Sequence, residues 1–149
     1  MSHRLFAILA AAAFAVGPGV SRAQSAAPAA GAATPKYRVV MQVSNPEPRG
    51  WNQTLNNSLA LTRNAGKANV EIRIVANGMG IAMLKENSPA APLVAAALAQ
   101  GVKVLACGET MKALSLEKED MLPNIGYVPG GLIEILDRQN EGWRYVKAD

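Results

Sequence analysis

The amino-acid sequence predicts an α/β fold, a three-layer sandwich in which about five mostly parallel strands form one sheet between helices. Short β-branched segments alternate with longer segments of helical periodicity from residue 36 to the end of the chain. Such alternation indicates right-handed crossovers between parallel strands, with helices on both faces of the sheet. Glycine or proline follows most of these segments, as expected where a strand or a helix ends.

The first 23 residues are predicted to be a signal peptide. Arg4 gives the start of the chain a positive charge, an apolar run follows over residues 5–16, and Ser21-Arg22-Ala23 resembles a cleavage site. The apolar run is shorter than the roughly 20 residues that span a bilayer, which disfavours the alternative of a membrane anchor. We therefore expect export to the periplasm, with no membrane attachment once the leader is removed.

A linker is predicted to precede the folded domain. Residues 24–35 are rich in Ala, Pro and Ser and show no periodicity, which is typical of a disordered segment. The folded domain is accordingly expected over residues 36–149. Without Arg4 and Arg22, 13 basic residues face 11 acidic ones, and no basic stripe with interleaved aromatic residues occurs. This charge pattern does not favour nucleic-acid binding.

The first part of the domain contains two predicted strands and a helix. Residues 37–43 and 70–75 are rich in β-branched and apolar side chains, which is typical of strands. Between them, residues 51–65 carry leucines among amide side chains. Because Gly66 follows as a C-terminal stop, this segment is predicted to be a helix.

The middle of the domain leads to the third strand. A helical turn is predicted over residues 81–86, and Ser88-Pro89 then offers an N-cap and a first-turn proline. The helix that follows includes the alanine-rich residues 93–98 and ends near Gly101. Residues 102–106 form the third predicted strand, which runs directly into Cys107-Gly108.

The last third of the domain completes the sheet. Short helical segments are expected over residues 109–114 and 116–121, followed by a fourth strand over 125–128. A last helix follows, and four of its residues are predicted to form its buried side: Leu132, Ile133, Ile135 and Leu136. Residues 143–146 are predicted to form a final strand at an edge of the sheet.

Ligands of open parallel sheets bind outside the carboxyl ends of the strands. Four predicted loops leave those ends, and all are rich in Gly, Pro, Asn or Ser: residues 44–46, 77–80, 107–110 and 129–131. In a flavodoxin-like strand order, 2-1-3-4-5, the first and third strands are neighbours. That order would place Asn45 and Cys107 at the rims of one crevice.

Cys107 is the only cysteine of the chain, and His3 in the predicted leader is the only histidine. The domain therefore lacks the imidazole of a Cys–His or Ser–His–Asp system and the three or four ligands of a zinc site. At the junction of a strand and a helix, unpaired N–H groups and the helix dipole favour a thiolate, whereas the carboxylate of Glu109 opposes it. The alternative is that Cys107 is a small buried packing residue.

Several segments are similar to the DsrE/DsrF-like family. They are the string at 101–111 around Cys107, Leu122-Pro123, residues 126–131, Trp51 with Leu55-Asn56-Asn57, residues 75–78, and the closing stretch 139–145. The resemblance extends over essentially everything from Tyr37 onwards. It implies a three-layer α/β fold, homo-oligomers that are trimers or hexamers, and a role in sulfur relay. In such a relay a cysteine carries sulfane sulfur as a persulfide, and Cys107 is the matching residue.

The leading hypothesis is a periplasmic, homo-oligomeric protein that accepts sulfane sulfur on the Cys107 thiolate and passes it to another thiol. The exchange needs no bound cofactor, and its partners would be thiol or persulfide donor and acceptor proteins. Residues expected to stabilise the anion or to line the approach are Asn45, Asn77, Gly78, Gly108, Glu109 and Thr110. Two alternatives stay open: a non-catalytic binding or assembly protein with a structural Cys107, and a small-ligand or nucleotide binder that uses the strand-end crevice.

Overall fold

One five-stranded sheet organises residues 34–147, the part of the chain that the computed structural model describes. Every pair of neighbouring strands is parallel, and the strand order is β4-β3-β2-β1-β5. The strands are β1 Tyr37–Val43, β2 Val70–Ala76, β3 Lys103–Cys107, β4 Gly126–Val128 and β5 Arg144–Val146. The predicted α/β fold with about five parallel strands is confirmed, and β5 lies at an edge of the sheet as predicted.

Helices connect the strands near the predicted places. They are α1 Pro48–Ala65, α2 Ala91–Ala99, α3 Gly108–Ala113 and α4 Gly131–Asn140, with 3₁₀ segments at Lys67–Asn69, Gly78–Leu84 and Lys118–Asp120. Helix α1 begins three residues earlier than predicted, because Pro48 suits a first turn in which the backbone N–H has no intrahelical partner. Helix α2 begins later than predicted, because the Ser88 hydroxyl accepts the Ala90 N–H in a turn and Pro92 occupies the first helical turn instead.

The expected strand order 2-1-3-4-5 is wrong. Strand β2 lies between β1 and β3, and β5 pairs with the other side of β1. Helices α1 and α2 pack against each other on one face of the sheet, so the first two right-handed crossovers run in the same direction. The chain reverses only with α4, which carries it back across the sheet to β5.

The two faces of the sheet are covered differently. Helices α1 and α2 cover a large apolar core that includes Leu55, Ile72, Ile74, Met83, Leu84 and Val104. On the opposite face, Ile135 of α4 packs on a smaller cluster formed by Val40, Val75 and Leu105. Successive residues of a strand point to opposite faces, and this alternation separates the two sets of strand residues.

The predicted buried side of the last helix is mostly exposed. Ile135 is buried against the sheet, but Leu132, Ile133 and Leu136 are 54–62% exposed. Apolar residues at 132, 133, 135 and 136 cover more of the helix circumference than one contact with a sheet can bury. The remaining apolar surface therefore faces away from the sheet.

The predicted signal peptide, residues 1–23, and most of the predicted linker, residues 24–35, lie outside the described residues. Across residues 34–147, no helix combines the length and the apolar character that a membrane crossing requires.

Candidate functional site

Cys107 is the last residue of β3 and the N-cap of α3, at the carboxyl end of the sheet. It faces the same side as Leu105, towards α4, because residues two apart in a strand share a face. Because Gly108 has no side chain, the end of β4 and the residue after it can pass close to the junction of β3 and α3. A Cβ at Gly108 would lie 3.1 Å and 3.2 Å from the carbonyl oxygens of Val128 and Pro129.

The start of α4 meets the sulfur directly. The backbone N–H of Gly131 donates to Cys107 Sγ, with the nitrogen 3.1 Å from the sulfur. A Cβ at Gly131 would lie 3.1 Å from Asn77 Cβ, 3.2 Å from Cys107 Cβ and 3.2 Å from Val75 Cγ1. Only glycine fits this position without displacing its neighbours, so the missing side chain is what brings the N–H to the sulfur.

Thr110 supplies further donors from α3. Its hydroxyl oxygen accepts the Gly78 N–H, with nitrogen and oxygen 3.0 Å apart, and its hydroxyl and backbone N–H lower the pKa of the Cys107 thiol. The Glu109 N–H contributes least to the sulfur, because it also donates to the Pro129 carbonyl oxygen at 3.0 Å. Two helix starts thus converge on one thiol.

These donors favour the thiolate. Burial of the sulfur raises the pKa of the Cys107 thiol, but the hydrogen bonds from Thr110, Gly131 and Glu109 outweigh this effect and hold the pKa below its ordinary value near 9. The Glu109 carboxylate is exposed at the rim and does not reverse the result. The sequence predicted that the amide donors and the Glu109 carboxylate have opposite effects on the thiolate. In the structure the hydrogen-bond donors determine the direction of the pKa shift.

The sulfur is nearly covered. Cys107 is 4% exposed, yet it belongs to neither apolar cluster of the sheet. The Gly131 backbone and Thr110 are among the groups that cover it. Beyond Thr110 lies a shallow groove of about 310 Å³, lined by Gly78, Met79, Glu109, Thr110, Ala113 and Leu114. Thr110 is the residue that touches both the sulfur and this groove.

Most of the predicted site residues come together. Gly78, Gly108, Glu109 and Thr110 surround Cys107 or its groove, and Asn77 lies beside it because Ala76 pairs with Ala106 one residue earlier. Asn45 does not share the expected crevice, since β2 lies between β1 and β3. Its Oδ1 accepts the Glu47 N–H and its carbonyl accepts Trp51 Nε1–H, so Asn45 shapes the β1–α1 turn.

Two residues at this end of the sheet were not predicted as site residues, Gly131 and Gln42. Gly131 belongs to a Gly-rich strand-end loop that the sequence did indicate, but its contact with Cys107 depends on the position of α4. Gln42 hydrogen-bonds Asn77, with Nε2 and Oδ1 3.1 Å apart. A polar residue near the end of an otherwise apolar strand was the signal available for Gln42.

A larger cavity lies elsewhere, away from Cys107. It has a volume of about 450 Å³ and lies between α2 and the loop at residues 122–124, with mainly apolar walls. In the part of the chain that the structure describes, no group of three or more His, Cys, Asp or Glu side chains is placed to hold a metal ion.

Comparisons with known proteins agree on the family and the fold. The sequence profile of the DsrE/DsrF-like family matches residues 38–148. A protein of unknown function from Methanobacterium thermoautotrophicum, MTH1491, is 30% identical, with a TM-score of 0.71 over 74% of this chain and 98% of its own. The ychN protein from E. coli is 15% identical, with a TM-score of 0.61 over 76% of this chain and 99% of its own.

A third similar structure is BT1422 from Bacteroides thetaiotaomicron, a conserved protein of unknown function. It is 12% identical, with a TM-score of 0.60 over 74% of this chain and 93% of its own. At these identities, ychN and BT1422 bear on the fold alone. No curated protein matches the chain.

Proposed function

Because the chain belongs to the DsrE/DsrF-like family, we propose that it carries sulfane sulfur as a persulfide on Cys107. The observation that carries this proposal is the convergence of the Gly131 N–H and the Thr110 donors on one sulfur, which lowers the pKa of the thiol. The thiolate is the nucleophile in exchange at sulfur, and a thiol of lowered pKa is also a better leaving group. Both properties serve a carrier that must first accept sulfur and then release it.

The loading step is an exchange that conserves charge and oxidation state. The Cys107 thiolate attacks the outer sulfur of a donor hydropersulfide, R–S–SH. The S–S bond of the donor breaks, a new S–S bond forms at Cys107, and the donor leaves as the thiolate RS⁻. In the unloading step, the thiolate of an acceptor attacks the outer sulfur of the Cys107 persulfide, and the Cys107 thiolate leaves with the same hydrogen-bond donors around it.

Mass spectrometry of the intact protein tests the proposal. After incubation with polysulfide, the wild-type protein is expected to gain the mass of one or more sulfur atoms, and a reductant should remove them. Because the chain has one cysteine, Cys107→Ser is the matched control and should gain nothing. An unmodified wild-type protein, or a Cys107→Ser protein that gains the same mass, would overturn the proposal.

A second candidate function is supported by the burial of Cys107. A side chain that is 4% exposed also suits a packing residue, in which case the protein would be a non-catalytic binding or assembly protein. This candidate predicts that thiol reagents do not reach Cys107 in the native state. It also predicts that Cys107→Ala keeps the same oligomeric state and thermal stability as the wild type.

Homo-oligomerisation through α4 belongs to the same proposal. Leu132, Ile133 and Leu136 form an exposed apolar patch on α4, and such contiguous patches on soluble proteins mark interaction surfaces. Sedimentation velocity is expected to give an oligomer for the wild type and a monomer for Ile133→Glu. The control Ala96→Glu places the same charge on an exposed position of α2 and should stay oligomeric. A monomeric wild type would exclude this assembly.

We also propose that the domain works in the periplasm, on the support of the apolar run and the small residues of the predicted leader. Fractionation of cells that express the full chain should place it in the periplasmic fraction. A version that lacks residues 2–23 should remain in the cytoplasm. The same fractionation pattern for both versions would contradict the assignment.

A further inference from the structure

Three polar side chains on neighbouring strands form a hydrogen-bonded chain that ends beside Cys107. The Tyr145 hydroxyl on β5 donates to Gln42 Oε1 on β1, with the oxygens 3.1 Å apart. Gln42 Nε2 donates to Asn77 Oδ1, at the end of β2, also at 3.1 Å. All three side chains lie on the α4 face, on the same side of the sheet as the small apolar cluster around Val40 and Ile135.

Asn77 is the member of this hydrogen-bonded chain that lies next to Cys107. The register Ala76 with Ala106 places Asn77 and Cys107 next to each other on neighbouring strands and on one face. Gly131 lies between them, since a Cβ there would lie 3.1 Å from Asn77 Cβ and 3.2 Å from Cys107 Cβ. The Gln42 bond occupies the carbonyl end of the Asn77 amide, so Nδ2 is the group left to donate.

We propose that Gln42 and Tyr145 are positioning residues, which fix the Asn77 amide so that its N–H group, and not its carbonyl, is presented at the Cys107 sulfur or at the outer sulfur of its persulfide. This inference rests on the proposed function only where it concerns the persulfide. The Tyr145 O–H and the two amide dipoles are aligned head to tail, with a donor at the sulfur end. A rotated Asn77 amide would place an oxygen lone pair near an anion, which is unfavourable.

The Asn77 amide needs a fixed hydrogen-bond partner to keep a single orientation. Asn77 is half-buried, and its amide could rotate about its last side-chain bond if it had no fixed partner. A groove of about 330 Å³ between α4 and β5 reaches Gln42 and Tyr145, and its other walls are Leu132 and Leu136 of the proposed oligomer contact, Ile135 and Gln139. Gln42 hydrogen-bonds both Tyr145 and Asn77, so it sets the donor-to-acceptor direction of the hydrogen-bonded chain of three side chains.

The test is the pH profile of the alkylation rate of native Cys107 in a set of variants. At a pH below the thiol pKa, Gln42→Leu is expected to slow alkylation about fivefold and Tyr145→Phe about twofold, since the Asn77 amide loses its fixed direction and only part of a hydrogen bond to a charged group is lost. The control Gln139→Leu changes a wall of the same groove without touching the chain and should leave the profile unchanged.

A double substitution separates positioning from simple packing. If Gln42 acts through Asn77, then Gln42→Leu should have no further effect in an Asn77→Ala background, because the amide that it orients is gone. The ionisable side chains on the segments around this end of the sheet are Glu47, Arg49, Glu109, Lys112, Tyr145 and Lys147, and Gln42→Leu and Asn77→Ala leave all of them in place. A shifted profile therefore reports on the polar chain.

Two outcomes would overturn the inference: an unchanged profile in Gln42→Leu, or equal slowing by Gln42→Leu with and without Asn77. Urea unfolding of each variant confirms that the fold is intact, and Tyr145→Phe, which removes only one oxygen, stays testable if Gln42→Leu does not fold. The polysulfide experiment on the wild type is read separately. Shifted profiles without persulfide formation would refute the proposed function and leave the positioning role standing.

Discussion

The two faces of the sheet differ in what they bury. The face under α1 and α2 carries a large continuous apolar core, whereas the face under α4 has only a small apolar cluster around Val40 and Ile135. The α4 face also carries polar groups. Arg73, in the middle of β2, pairs with Glu134, and Gln42, Asn77 and Cys107 lie at the carboxyl ends of their strands.

This difference suggests a division of roles between the faces. Apolar burial is the main source of folding free energy, so the α1–α2 face is expected to supply most of the stability. Polar groups cost free energy when they are buried, and the α4 face retains several of them, of which Arg73 Nε, Arg138 Nε and Trp143 Nε1 have no hydrogen-bond partner among the described residues. The α4 face, which carries Cys107, is therefore expected to contribute less to the free energy of folding than the α1–α2 face.

The largest effect is expected from a cavity in the α1–α2 core. Leu55→Ala should lower the free energy of unfolding by about 2–5 kcal/mol, because Leu55 is fully buried and its neighbours cannot close the gap. Urea unfolding measures the loss. The same substitution one turn later, Leu59→Ala, removes a partly buried side chain and should cost clearly less. Equal losses would show that the core is not concentrated where the structure places it.

Gly131→Ala is the sharpest test on the α4 face. The added Cβ would press on Asn77, Cys107 and Val75, so the start of α4 must move away from the sulfur. We expect a loss of about 1–3 kcal/mol in unfolding free energy and a slower alkylation of Cys107 at neutral pH. Gly130→Ala is the matched control, because its Cβ would meet only Ile133, at 3.7 Å or more. Similar results for the two variants would refute the role of Gly131.

Thr110→Val removes the hydroxyl and keeps the shape of the side chain. It should slow alkylation of Cys107 about tenfold at a pH below the thiol pKa, because the thiolate loses a hydrogen bond to a charged group. Stability should change little. Thr110→Ser keeps the hydroxyl and should retain most of the wild-type rate, so a Ser variant as slow as the Val variant would speak against this bond.

The smallest effect is the dependence of stability on pH. The pKa of Cys107 is lowered by folding, so the unfolded state binds more protons between the folded value and the ordinary value near 9. The stabilisation is fully present above the ordinary value and is lost as the pH falls through the folded one. The stability of the wild type relative to Cys107→Ser should therefore rise with pH in this window. A fall with rising pH would have the wrong sign.

Local sequence patterns were sufficient for the elements and for the place of Cys107. A β-branched run that ends in Cys-Gly before a helical segment places the thiol at the carboxyl end of a strand, whatever the order of the strands. The donors around it were predictable in part, because Gly108, Glu109 and Thr110 follow Cys107 in the chain. Their net effect on the pKa depended on the orientation of the Glu109 side chain, which no local pattern determines.

Contacts between distant segments could not be predicted. The pairing of β5 with β1 places Tyr145 beside Gln42, although 103 residues separate them. The contact of Gly131 with Cys107 depends on the same return of α4 across the sheet. The predicted buried side of α4 was mostly wrong for a related reason. The sequence shows four apolar residues around the helix, but it does not show which of them face the sheet and which point away from it.

The proposed function requires the claim that Cys107 is a thiolate that reagents can reach at the end of the sheet. The pH dependence of alkylation of the native protein measures both properties. We predict that the thiol reacts without unfolding and that the midpoint of the rate profile lies below the ordinary thiol value near 9. A thiol that reacts only as fast as the protein unfolds, or a midpoint at or above that value, would contradict the claim.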